Sequence, residues 1–173
     1  KAMNKFILLV ISVVLMNTVM AQKEKQTLLS VGPELGFTFS KANTTNSFGY
    51  GASLQLEQRI NDKFRATALV GIINYVAKSS PRNVFGNIIN PNSKYVAVPL
   101  RVGGRYYFDE NLHVGAQVGV GFNTPGTVFA YSPQIGYSLN IKNVGAFETT
   151  FKIDGYAGSG NFNSVGIRIA YIF

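Results

Sequence analysis

Cysteine and tryptophan are both absent from this chain of 173 residues, and charged residues make up only 14% of it. Without cysteine there is no disulfide scaffold, no thiolate metal site and no lipid-modified cysteine behind a leader, so a lipoprotein is not expected. Soluble domains carry roughly 25% charged residues, and disordered chains are poor in apolar ones. At 46% hydrophobic and 13% aromatic, this sequence fits neither description. Much of its surface is therefore expected to meet something other than water. A single histidine and few carboxylates leave no metal site, no Gly-x-Ser-x-Gly elbow is present, and no helix follows Gly119 and Gly121 to cradle a phosphate. No cofactor and no enzymatic activity are expected, since catalysis needs a nucleophile, a base and an orienting group together, and His113 sits beside a tight turn, at the end opposite the longer connectors. Acidic residues number 8 against 16 basic ones, a net charge of +8. The basic residues are scattered singly, which does not indicate a nucleic-acid partner.

What is present begins with a leader. Lys1 and Lys5 precede an apolar run from Phe6 to Met16, followed by Asn17, Thr18 and the small-residue stop Val19-Met20-Ala21. A positive start, a short apolar stretch and a small residue before Gln22 describe a secretory signal peptide over residues 1–21, with Met3 as its expected start. A membrane-spanning helix needs about 18 apolar residues, and the polar pair arrives before that. Residues 22–173 are then read as one exported domain. Loss of Lys1 and Lys5 takes the 16 basic residues to 14, against 8 acidic ones, so the mature chain stays basic.

Past Gln26 no segment shows helical periodicity. Eight segments alternate with period two instead, at approximately 27–40, 47–60, 64–77, 95–108, 112–123, 128–139, 144–155 and 162–173. The even connectors, Asn61 to Lys63, Asp109 to Asn111 and Asn140 to Asn143, are tight and polar. The odd ones, Lys41 to Asn46, Lys78 to Lys94, Asn123 to Thr127 and Tyr156 to Asn161, are longer or looser. Tight turns at one end and variable loops at the other make up an up-and-down array.

Parity assigns the faces, because successive side chains point to opposite sides of a strand. Val165, Ile167, Ile169, Tyr171 and Phe173 share one side of the last segment; Ser164, Gly166, Arg168 and Ala170 share the other. In a soluble sandwich or a lipocalin-like carrier the second face meets water and is rich in Lys, Glu and Thr. Here it carries glycines, small residues and isolated charges: Glu34, Glu57, Arg59, Arg65, Arg101, Arg105, Glu148, Lys152, Asp154 and Arg168. Small residues suit the crowded inside of a narrow eight-stranded barrel, so the apolar face is assigned outward to lipid. Tyr106, Phe108, Phe122, Phe129, Tyr171 and Phe173, outward near segment ends, are read as interfacial girdles.

The leader, the eight segments, the stretch Tyr95 to Phe108 and the terminal Val165 to Phe173 together resemble small bacterial outer-membrane β-barrels of the porin-like superfamily. The likeness is to the barrel of outer membrane protein A and to outer membrane protein X. It implies an all-β, eight-stranded antiparallel up-and-down transmembrane β-barrel in the outer membrane of a Gram-negative cell. A last strand ending in Tyr171 and Phe173 looks like the signal read by the outer-membrane assembly machinery. Because Phe173 ends the chain, no periplasmic domain and no peptidoglycan anchoring are expected. The family includes adhesins, envelope scaffolds and narrow channels, so a structural or surface-interaction role and a narrow channel for small solutes both stand open.

Two residue sets are expected to matter. Charges enclosed in a narrow lumen must pair or be neutralised, so the ten inward residues are expected to form an ion-pair plug, with a gated ion path as the alternative. Glu148 and Arg168 lie at similar heights and are expected to pair, with Arg101, Arg105 and Glu57 joining them. The connector at 78–94 carries Lys78, Arg82 and Lys94 without an acid, together with Phe85, Ile88 and Ile89. Its cations are expected to meet lipopolysaccharide phosphates, and its apolar residues offer a docking patch for a surface partner.

Overall fold

The computed structural model describes residues 27–39, 46–77, 95–123, 126–141, 145–158 and 162–173. The leader assigned to residues 1–21 and the whole loop at 78–94 lie outside them. The described chain forms β1 (Thr27–Thr38), β2 (Asn46–Arg59), β3 (Phe64–Ala77), β4 (Tyr95–Tyr107), β5 (Leu112–Asn123), β6 (Gly126–Ile141), β7 (Gly145–Ala157) and β8 (Phe162–Ile172). Each strand pairs antiparallel with its chain neighbours, and β1 pairs antiparallel with β8, which closes the sheet into a barrel. Strands of 11 to 16 residues exceed the 9–11 that a tilted membrane crossing needs.

Two expectations about boundaries need correction. β6 extends beyond 128–139 at both ends, and Asn123 stands in register with Gly126, so the β5–β6 connector shrinks to residues 124 and 125. Asn123 Oδ1 closes it by accepting from the Gly126 N–H at 3.1 Å. That odd connector is as tight as the turns at the opposite end. β7 runs past residue 155, so Tyr156, expected in a loop, lies in a strand opposite Phe162. At the other end the side chains of Asn61 and Asp109 close their turns, each accepting two backbone N–H groups at 2.6 to 3.0 Å.

Besides a register shift between Asn46 and Phe48 in β2–β3, pairing lapses over two residues at three places among the described residues: at Gly32–Pro33 in β1–β8, at Val98–Pro99 in β3–β4, and at Ser132–Pro133 in β6–β7. Each of these three lapses contains a proline, which has no N–H to give the ladder.

The assigned faces hold. Val31, Leu35, Leu54, Val70, Leu100, Val102, Val118, Ile135, Phe151, Val165 and Ile169 are exposed on the outside, and no outward position of the described strands is charged. From Phe64 to Asn74 on β3, the outward band covers eleven residues, about 25 Å once strand tilt is allowed for. Aromatic residues cluster at both ends of that band. At the turn end, Phe64 packs on Tyr106 (ring centroids 5.1 Å), Tyr106 on Phe108 (5.2 Å), Phe147 on Tyr171 (5.3 Å) and Tyr171 on Phe173 (4.9 Å). At the loop end Phe37 meets Phe48 at 5.3 Å. There the Tyr131 ring lies across Gly155 to donate to Asn163 Oδ1 at 3.0 Å. A Cβ on Gly155 would sit 2.0 Å from that ring, so only glycine allows the approach.

Candidate functional site: the occluded lumen

Inward positions of the eight strands converge on a space with no room for bulk water. The largest fully buried side chains of the barrel are here: Arg101, Arg105 and Arg168, each about 1% exposed. Burying an ion costs several kcal/mol unless an opposite charge and hydrogen bonds replace its hydration. Each enclosed ion meets an opposite charge, although Arg101 Nε and Nη2 and Arg105 Nε are buried without a hydrogen-bond partner.

The ion pairs form one continuous chain. At the turn end Arg65 Nη1 donates to Glu57 Oε1 at 2.7 Å, and Arg105 Nη1 reaches Glu57 Oε2 at 2.8 Å. Arg105 also binds Glu148 through two nitrogens, at 2.6 and 3.0 Å. Glu148 Oε1 accepts from Arg168 Nη1 at 3.2 Å and from Thr150 Oγ1 at 2.9 Å. Arg168 Nε lies 3.7 Å from Glu34 Oε1, and Glu34 takes Lys152 Nζ at 2.5 Å and the Ser53 hydroxyl. Lys152 continues to Asp154 at 3.0 Å, and Asp154 pairs with Arg101. Four buried acids thus face four buried cations, with Arg65 at the rim as a fifth.

The expected pairing of Glu148 with Arg168 is present, and Arg101, Arg105 and Glu57 belong to the same network. One residue does not. Arg59 has the inward parity but falls beyond the rim, where its side chain is 46% exposed and pairs with Asp62 at 2.6 Å across the turn. Parity assigns a side, not a height, and the last residue of β2 has already left the lumen. Arg65 is intermediate: its guanidinium reaches in to Glu57 and lies 4.0 Å over the Tyr107 ring.

Polar neighbours complete the filling. Tyr107 donates to Glu57 at 2.9 Å, Gln117 donates to Thr67 at 3.1 Å, and the side-chain amides of Gln117 and Gln55 meet at 3.1 Å. His113 is fully buried, with its ring 4.9 Å from that of Tyr107. At the turn end a cavity with space for about one water lies among Leu28, Ser30, Gln55, Glu57, Arg105, Glu148 and Ile172.

Above the charges the lumen changes character. Ile73, Tyr75, Ala97, Ala130, Tyr156 and Phe162 form a buried apolar cluster inside the barrel at the loop end, with Tyr75 edge-on to Phe162 at 4.5 Å. Sequence reasoning missed this cap. Its signal was available in the inward parity of Tyr75 and Phe162, but Tyr156 stood outside the expected seventh segment.

The loop residues Lys78, Arg82, Phe85, Ile88, Ile89 and Lys94 lie outside the described residues. Of the terminal pair, Tyr171 lies among the outward aromatics of the turn end, and the Phe173 N–H donates to the Leu29 carbonyl at 2.8 Å, extending the β1–β8 pairing by one residue.

No protein-family model matches the chain, and no curated protein matches its sequence. Solved structures do match. The chain is similar to the outer-membrane protein Ail of Yersinia pestis in a phospholipid bilayer nanodisc, with a TM-score of 0.57 and 11% identity over 85% of this chain and 98% of that one. It is similar to the outer-membrane protein OprG of Pseudomonas aeruginosa, with a TM-score of 0.50 and 9% identity over 85% and 95%. A de novo designed transmembrane β-barrel matches at a TM-score of 0.50 and 13% identity over 86% and 96%. The fold is that of small eight-stranded outer-membrane β-barrels.

Proposed function

We propose that this chain is an integral protein of the bacterial outer membrane with a structural or surface-interaction role at the envelope. One observation carries the reading: the outward faces of the described strands bear no charged side chain, while four acids and four cations are enclosed and paired within. A soluble carrier has the opposite polarity. A narrow channel needs a path, and here paired charges fill the lumen below an aromatic cap. The even-numbered turns face the periplasm, and the odd-numbered loops face outward.

Every charged residue in the connectors at the loop end, Lys41, Lys78, Arg82 and Lys94, is basic. That sign suits the phosphates of lipopolysaccharide, which we take as the molecular neighbour, with acyl chains around the barrel wall.

The test is extraction and conductance. The protein stays with the membrane until detergent is added, runs at two gel mobilities before and after heating, and leaves planar bilayers silent. Recovery in detergent-free buffer overturns the membrane assignment. Discrete conductance steps from the wild-type chain replace the occluded role with that of a channel.

A further inference from the structure

The β1–β8 junction differs from the other seven in having no connector: every other pair of neighbouring strands is consecutive in the chain, while β1 and β8 are held by non-covalent contacts alone. Its ladder is also split. Ser30 and Val31 pair with Ile172 and Tyr171, pairing lapses at Gly32 and Pro33, and it resumes from Glu34 opposite Arg168 to Thr38 opposite Ser164. The two backbones run so close at the lapse that a Cβ on Gly32 would lie 1.9 Å from the Ile169 carbonyl oxygen. Pro33 cannot donate there, and water cannot replace the lost bond from the lipid side.

Arg168 on β8 stands at the edge of this lapse and reaches both sides of it. Its Nη2 donates to the Ser30 hydroxyl at 3.0 Å and to the Ser30 carbonyl at 3.2 Å, on one side of Gly32. Its Nε lies 3.7 Å from Glu34 on the other side and donates to Ser53 Oγ of β2 at 2.8 Å. Its Nη1 anchors to Glu148 of β7 at 3.2 Å. One guanidinium therefore ties β7, β1 and β2 to β8.

We infer that Arg168 is the latch of the barrel seam, supplying from inside the lumen the bonds that the proline-broken β1–β8 ladder does not make. Among the enclosed cations its role is distinct, because removing it loosens one junction rather than the whole sheet.

Amide hydrogen exchange in detergent micelles tests this. In Arg168→Gln, exchange at Val31, Leu35, Ile167 and Tyr171 accelerates by about tenfold or more, while Val102 and Val118 in the β4–β5 pair stay within about twofold of wild type. A double variant, Ser30→Ala with Ser53→Ala, leaves the Glu148 pair in place and gives a smaller rise confined to the same seam amides. It serves as the test if Arg168→Gln does not fold. Equal acceleration across all strands, or none at the seam in whichever variant folds, overturns the latch.

Discussion

At the scale of single residues, the same chemical group has opposite value inside and outside the rim. Glu148 accepts from Arg105, Arg168 and Thr150 in a site closed to solvent. Replacing it with alanine strands two guanidinium groups, so Glu148→Ala is expected to cost about 3–5 kcal/mol, read as a lower urea midpoint in micelles. Arg59 and Asp62 pair in open water, and Arg59→Ala is expected to cost below about 1 kcal/mol in the same assay. A third carboxylate gives a pH dependence. Two backbone N–H groups, of Leu112 and Asn111, hold the Asp109 carboxyl below its ordinary value of 3.8. A depressed folded pKa stabilises the β4–β5 turn above pH 3.8, and the contribution is lost as pH falls below that through the lowered value. Amide protection of Asn111 and Leu112 is expected to fade over that acid range in wild type, and to depend less on pH in Asp109→Asn, which keeps the Oδ1 acceptor without the titration.

At the scale of elements, period-two alternation is the whole code. It was legible in every strand, because burying one face and exposing the other leaves a mark at each residue. Heights were less legible: parity put Arg59 inside although the strand ends there, and turn chemistry misplaced the ends of β6 because Asn123 and Gly126 close a shorter hairpin than their flanks suggest. The outward face gives the sharpest test. Leu100 lies near the middle of the apolar band on β4 and is 49% exposed. Leu100→Arg is expected to destabilise the barrel in bilayers by about 2–4 kcal/mol, measured by denaturant titration, since a charge there has neither partner nor water.

At the scale of the whole molecule, closure makes the other features possible. An open sheet with this composition would offer unpaired edges and a greasy surface; a closed one pairs its backbone in lipid and gathers its charges at the axis. Three proline lapses are tolerated within that closed wall, and the one at the seam coincides with the junction that has no covalent link. Silence in planar bilayers is the outcome expected of the same geometry, because the ion-pair chain and the aromatic cap occupy successive levels of one narrow lumen.

Fold class, strand number, the outward placing of the apolar face and the identity of nearly all the enclosed charges could be read from the bare chain, because each rests on local alternation and composition. Which charge meets which could not, apart from Glu148 and Arg168. Arg101 reaches Asp154 and Lys152 reaches Glu34 across the lumen, from positions separated by 53 and 118 residues. The apolar cap and the Arg168 latch are of the same kind. Both exist only once strands distant along the chain share a level in a closed ring, and that level is set by register and tilt, which leave no local trace.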